Sequence, residues 1–451
     1  MAGKREKIPK GNRGSSIKTF FQEMYITLQL FGQSGLTNHA AACAYGFLLS
    51  MAPMLIVLAF FVIFLFNFSP EDIFSFIGHI PILGLIFDEQ WLSNELFNFA
   101  AFGISGFISL ISIFWAGRIF ALSMQRGLNI VFYSDKGRNP LKSNLIIAAV
   151  EISMIILILV ILVSSQTAMY LYKNLDFFPE NSIIEMLSIR LSGQITTSVI
   201  FGFAAFLIFI FMPVKSPRKI SAFYGALLCS IAFFCLAYIF GYFQNQARFI
   251  FLYGTLGNIV LLLVNVYFFF NIFFICAQFA FVLDFFDGLL FLELKRNIDN
   301  EKKNKKNFIT SFLFPVKSSL SKYKKQFNKD EIIMRQGEST KDIFFLLDGE
   351  VEILLPTQEN EFKSAALLSA GSFFGEMSYL LSEDRTATAR AKTSVSVFAL
   401  PPSLFEFILK YDTAGIDRNI IEHMSQRLKK SNIQYIDLQS SIASSRHSTE
   451  E

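Results

Sequence analysis

Six stretches of this chain, at about 42–66, 98–117, 145–170, 192–212, 220–244 and 256–285, are each long and apolar enough to span a bilayer. Nothing else in the sequence restricts its fold so strongly. Fifty-five of the 451 residues are Phe and 53% are hydrophobic, more apolar surface than a soluble protein of this size needs. The expected architecture is an all-α transmembrane bundle of six helices over 38–290, followed by a polar C-terminal region.

The loops set the orientation. One side carries Lys4, Arg5, Lys7, Lys10, Arg13 and Lys18, then Arg118, Arg126, Lys136, Arg138 and Lys142. It continues with Lys215, Arg218 and Lys219, and with Lys295, Arg296, Lys302, Lys303, Lys305 and Lys306. The other side has Lys173, Arg190 and Arg248. Basic residues in short loops stay in the cytoplasm, so a multi-pass protein with both termini cytoplasmic is expected. The first apolar span follows a long polar stretch and exceeds a signal-peptide core, so no cleaved leader is expected. Cys43, Cys229, Cys235 and Cys276 all fall within expected spans and read as small apolar side chains.

Residues 1–37 comprise a basic start and an amphipathic helix at 17–31, with Ile17, Phe20, Phe21, Met24, Tyr25, Leu28 and Phe31 on one stripe. That stripe suits the membrane interface, and equally suits packing on the end of the bundle. Residues 291–314 are rich in Lys and Asn and read as a flexible, charged linker. A polar domain is expected at 315–440 and a disordered tail at 441–451.

Within the polar domain, Phe374-Gly375-Glu376-Met377-Ser378-Tyr379 and Asp384-Arg385-Thr386-Ala387-Thr388-Ala389 stand between two strand-like runs. Gly375 lets the backbone approach a ligand, and the amides after it can point at an anion. Arg385 offers a planar cationic fork suited to a phosphate diester. Glu376 can accept from a sugar hydroxyl, Thr386 adds a hydroxyl beside the arginine, and Ala387 is small enough for close packing. Strand alternation is visible in Val351-Glu352-Ile353-Leu354 and in Val395 to Leu400. Pro401-Pro402-Ser403 opens a helix, and an apolar stripe of Ile420, Ile421, Met424 and Leu428 marks another at about 417–439.

This region resembles the cyclic nucleotide-binding domain of protein kinase A regulatory subunits and the bacterial catabolite activator. The similarity takes in Glu331-Ile332-Ile333, Gln336-Gly337, Ile343-Phe344-Phe345-Leu346 and Gly349-Glu350-Val351, with Asp330 where that family usually has Gly. It implies a cytoplasmic β-roll (jelly-roll-like) with flanking helices, and a cyclic nucleotide held by Phe374, Gly375, Glu376, Met377, Ser378, Arg385, Thr386 and Ala387. It also implies a C-terminal helix closing over the base. A hydroxyl after the cassette arginine is compatible with guanine, and bacterial domains with Ser or Thr there also accept cAMP. The expected ligand is therefore cAMP ahead of cGMP.

The membrane half resembles the YihY/BrkB group in three blocks: Ala40 to Pro53, Leu122 to Tyr133, and Tyr253-Gly254-Thr255-Leu256-Gly257 with the span ending Cys276-Ala277-Gln278. That group commonly has Gly-Ala-Glu at the last site, so Cys276 and Gln278 depart from it. The resemblance implies a six-helix bacterial inner-membrane protein, to which transport, envelope maintenance, serum resistance and the label ribonuclease BN have been attached.

Glu151, Asn265, Asn271 and Gln278 lie within the expected spans, where polar groups are costly. They read either as a polar path for a solute or as interhelical hydrogen bonding. His39, His79, His423 and His447 have no metal-ligand spacing, and no nucleophile–base pair or phosphate-binding Gly/Lys loop stands out. No catalytic residue, metal or nucleic-acid partner is therefore expected, and a ribonuclease is disfavoured. Two readings stay open: a transporter or permease regulated by cyclic nucleotide, and a membrane-anchored sensor or scaffold that moves nothing. The expected partners are the lipid bilayer, a cyclic nucleotide, an unidentified solute and, in a homo-oligomer, further copies of the chain.

Overall fold

The computed structural model describes residues 17–50, 104–133, 139, 141–150, 153, 156, 183–244, 248–302, 308–315, 320–356 and 362–411. The chain divides into two compact units. One is Glu23–Asp284, and the other joins Met1–Gln22 to Phe285–Glu451. Glu151, the basic residues 4–13, the expected helix at 417–439 and the tail at 441–451 lie outside the described residues.

The described residues of the first unit are mainly helical. Besides helical residues 36–50 and 141–150, it contains α2 (Ile104–Val131), α3 (Ile183–Phe211), α4 (Lys219–Gln244) and most of α5 (Arg248–Lys302); α1 (Ile17–Gln33) begins in the other unit. Among the described residues two helical stretches are long and apolar enough to cross a membrane, Lys219–Phe240 and Val260–Ile298. They contain most of the fifth and of the sixth expected span. Apolar Ile195–Phe211 falls in the fourth, and much of the first and third lies outside the described residues.

Small residues let these helices approach closely, as in lipid, where packing takes the place of the hydrophobic effect. A Cβ on Gly225 of α4 would stand 2.7 Å from Ala280 Cβ and 2.9 Å from the Cys276 carbonyl of α5. Phe201 and Phe233 stack at 4.8 Å between α3 and α4. Ile220, Phe223, Leu227 and Ile231 of α4 are exposed, an apolar outer face. The buried Asp284 of α5 accepts from Arg218 N at 2.8 Å and from the Ser221 hydroxyl, and so caps α4 from a neighbouring helix.

Among the described residues the second unit has eight strands, with α6 (Phe308–Leu313) and a 3₁₀ turn (Ser321–Tyr323) before them. They are β1 (Lys324–Phe327), β2 (Ile332–Met334), β3 (Ile343–Asp348), β4 (Glu350–Pro356), β5 (Phe362–Ser369), β6 (Phe373–Phe374), β7 (Thr388–Ala391) and β8 (Val395–Leu400). Two antiparallel four-stranded sheets result, ordered β1-β8-β3-β6 and β2-β7-β4-β5. The continuous apolar run Ile343-Phe344-Phe345-Leu346 is buried on both faces of β3. Phe344 and Leu346 join the core with Val351, Phe374, Ala389 and Val397. Phe345, on the other face, meets Phe291 of α5 at 5.2 Å. Short helix α7 (Glu376–Leu380) follows β6, and α8 (Pro402–Tyr411) begins where Pro401-Pro402-Ser403 predicts it.

The expected flexible linker at 291–314 is helical over 291–302 and again over 308–313. Its Lys and Asn content suggests a tether, but Phe291 and Leu294, one helical turn apart, are both 1% exposed and hold the segment against protein. Lys295 and Asn297 are buried as well, and Asn297 Nδ2 donates to the Thr310 carbonyl at 3.3 Å.

Candidate anion-binding cassette

β6 delivers Phe374 into the core, where it stacks on Phe344 at 5.1 Å and is 1% exposed. The chain then turns at Gly375, with φ +77°, into α7. No side chain caps the start of this helix, and Glu376, buried, stands in its first turn. Met377 is half-buried and Ser378 fully buried. Seven residues further on, Arg385 folds back into the same place.

The Arg385 side chain is 2% exposed. Its Nη1 donates to the Gly375 carbonyl at 2.7 Å and to Ser378 Oγ at 2.9 Å. Its Nη2 donates to the Asp342 carbonyl at 2.6 Å, and its Nε to Thr340 Oγ1 at 3.2 Å. The guanidinium also stands over the Phe344 ring at 5.6 Å. All four hydrogen-bonding partners are neutral oxygens, and among the described residues no carboxylate forms a salt bridge with Arg385. Burial pulls its pKa below the usual arginine range, while the charges of Asp342, Glu338 and Glu376 oppose that shift. A buried cation solvated by carbonyls and hydroxyls is suited to an anion. With four donor contacts committed, one Nη2 hydrogen is left uncommitted among the described residues.

The residues singled out in the sequence fall into two groups. Gly375, Glu376, Ser378 and Arg385 converge, while Phe374 and Ala387 are buried packing around them. Thr386 is exposed. Thr340 and the Asp342 carbonyl, which fix the arginine from the loop before β3, were not among the expected residues. No local pattern marks them, because the contact spans more than 40 positions of sequence.

In the membrane unit, Asn265 is half-buried and Asn271 buried, and Asn271 Nδ2 donates to Tyr267 O of its own helix at 2.8 Å. Gln278 is 1% exposed and its Nε2 has no hydrogen-bond partner among the described residues. Asn271 thus satisfies its amide locally, and no hydrogen bond links these three side chains.

Comparison with known proteins matches two families to the two parts of the chain. The cyclic nucleotide-binding domain model matches residues 324–412. Among curated proteins the chain is 38% identical over 69 residues to a cyclic nucleotide-gated potassium channel of Rhizobium etli, covering 15% of this chain and 18% of that one. It is 31% identical over 120 residues to the potassium/sodium hyperpolarization-activated cyclic nucleotide-gated channel 2 of Mus musculus, covering 25% and 13%. The chain thus spans less than a fifth of the length of either channel. Among solved structures, the catabolite activator protein of Thermus thermophilus aligns at 23% identity and a TM-score of 0.24, covering 26% of this chain and 54% of that one. The model for virulence factor BrkB matches residues 27–286, more than half of the chain. The chain belongs to the virulence factor BrkB family and carries a C-terminal cyclic nucleotide-binding domain.

Proposed function

We propose that this is a bacterial inner-membrane protein, with both termini cytoplasmic, whose membrane domain is a transporter or permease regulated by a cyclic nucleotide bound at the cassette. The carrying observation is Arg385, a buried cation whose hydrogen bonds all go to neutral oxygens. A cyclic phosphate would give it a direct anionic partner, which it lacks among the described residues. Glu376 accepts from the ribose 2′-hydroxyl, and the amides at the start of α7 add donors to the phosphate. The names of the matched channels, which are cyclic nucleotide-gated, support the ligand class. cAMP is the first choice and cGMP the second. No chemical step is assigned to the chain.

Calorimetry on the full-length protein tests the binding. Wild type should bind cAMP, and Arg385→Ala should lose a few kcal/mol, about a hundredfold or more, because a buried anion loses its cation. Equal affinities would mean that Arg385 does not hold the nucleotide. Flux measured in liposomes with and without nucleotide separates a regulated transporter from a sensor that moves nothing; the solute path would run past Asn265, Asn271, Gln278 and Glu151. The buried Nε2 of Gln278 is the observation that favours such a path.

A further inference from the structure

Helix α1 is amphipathic with its faces reversed for water. Ile17 is 79% exposed, Phe21 56%, Leu28 51% and Phe20 45%, whereas Gln22, Glu23 and Thr27 are buried together with Ile26. At 3.6 residues per turn, positions 17, 20, 21 and 28 fall within roughly 100° of one another, with the half-buried Met24 between them, so the exposed residues form one stripe. The polar side is held by protein: Gln22 Nε2 donates to the Leu313 carbonyl at 2.6 Å, closing the last turn of α6. A surface helix in water sorts the other way, with its apolar stripe inward. The medium along the outer stripe is therefore apolar.

The helix does not span that medium. It is 17 residues long and includes Lys18, Gln22, Glu23, Gln29 and Gln33, whereas a span needs about 20 predominantly apolar residues. A helix of this kind lies in the plane of the interface. Charge selects the lipid. Lys18 is exposed, and the residues before it include Lys4, Arg5, Lys7, Lys10 and Arg13 against Glu6 alone. We infer that α1 is a docking surface for an anionic lipid bilayer, seating Ile17, Phe20, Phe21 and Leu28 at the boundary of headgroup and acyl chain while Gln22, on the opposite side, is held by the Leu313 carbonyl.

The test places one tryptophan on the stripe. The chain has two, Trp91 and Trp115; both are replaced by Phe, and Phe21→Trp is introduced into the full-length protein. Leu28→Trp serves where Phe21→Trp does not fold. The protein is reconstituted into vesicles of phosphatidylcholine with or without phosphatidylglycerol, using lipids brominated near the top or near the end of the chain. Blue-shifted emission, quenched more by shallow than by deep bromines and more with phosphatidylglycerol, is the expected result. Replacing the six basic residues by Gln should reduce that quenching. Emission typical of water that no brominated lipid quenches overturns the inference, and equal quenching in the two vesicle types overturns the anionic preference. A buried but unquenched tryptophan, with a protomer number that falls when Phe20 and Phe21 are replaced by Ser, assigns the stripe to a second copy of the chain and rejects the lipid.

Discussion

Gly375 and Arg385 are fitted to each other: Arg385 Nη1 donates to the Gly375 carbonyl at 2.7 Å, and a Cβ built on Gly375 would stand 2.7 Å from that same nitrogen. Gly375 also has φ +77°, which costs an L side chain about 1–2 kcal/mol. Gly375→Ala should therefore destabilise the domain by about that amount and displace the guanidinium. Nucleotide affinity should fall by at least about tenfold, 1.4 kcal/mol. Gly337 separates the two effects. Its φ is +79°, but a Cβ there meets nothing within 4 Å. Gly337→Ala should carry the strain and keep the affinity. Thermal unfolding and calorimetry on both variants check this, and parallel losses of affinity would show that strain alone is responsible.

Asp330 stands where the resembling domains usually have glycine, and the structure gives the reason: its φ is +66°, and its amide donates to the Ala391 carbonyl at 2.7 Å. Aspartate tolerates this left-handed backbone better than most residues, and a β-branched side chain does not. Asp330→Gly should be neutral or stabilising by up to about 1 kcal/mol, and Asp330→Val destabilising by about 1–2 kcal/mol. Denaturant unfolding of the two variants reads the difference, and a valine variant as stable as wild type would contradict it.

The cassette and the strands were legible because each depends on nearby residues. Gly375 with the amides after it already marks a close backbone approach to an anion, and Ile343 to Leu346 already falls in a strand-like block. What holds Arg385 was not legible. Its partners Thr340 and Asp342 come from a distant loop, and one of them acts through a carbonyl that every residue possesses. The segment at 291–302 misled for another reason. Its charges outweigh its apolar residues in composition, yet Phe291 and Leu294 suffice to bury one face of a helix. The two open readings of α1 were also beyond the sequence, because only the burial of Gln22 and Glu23 shows which side faces protein.

Thr386 is exposed at the edge of the cassette, and its hydroxyl makes no hydrogen bond among the described residues. It is therefore available to a base. The exocyclic amine of guanine can donate to this hydroxyl; adenine has no amine at that position. We expect cAMP to bind with cGMP competing within about tenfold, roughly 1.4 kcal/mol. Thr386→Ala should weaken cGMP more than cAMP. Competition titrations in which the substitution leaves the cGMP/cAMP ratio unchanged would rule out this contact.

A run of ring contacts leads from the cassette to α5. Tyr379 of α7 meets Phe405 edge-on at 5.7 Å, Phe405 meets Phe373 at 5.8 Å, and Phe373 meets Phe291 at 6.1 Å. Beside them Phe407 stacks on Phe285 at 4.8 Å and lies against Gly288, where a Cβ would overlap the Phe407 ring. Asp287 accepts from Lys322 Nζ and, at 3.2 Å, from the Tyr323 hydroxyl; burial and the Asp287 charge raise that phenol above its usual range. Residues 285–291 are thus gripped by the nucleotide domain, and they belong to the unbroken helix that starts at Arg248. A ligand shifts such an arrangement only by preferring one of its states. If it does, saturating nucleotide should change amide exchange across 285–298, not only around 374–387. Phe291→Ala should cost the domain about 3–5 kcal/mol. The milder Phe291→Leu should keep nucleotide affinity while reducing the exchange response in α5. An unchanged exchange pattern at 285–298 in wild type, in samples where nucleotide protects the cassette, would mean that the effect of binding stops at the β-roll.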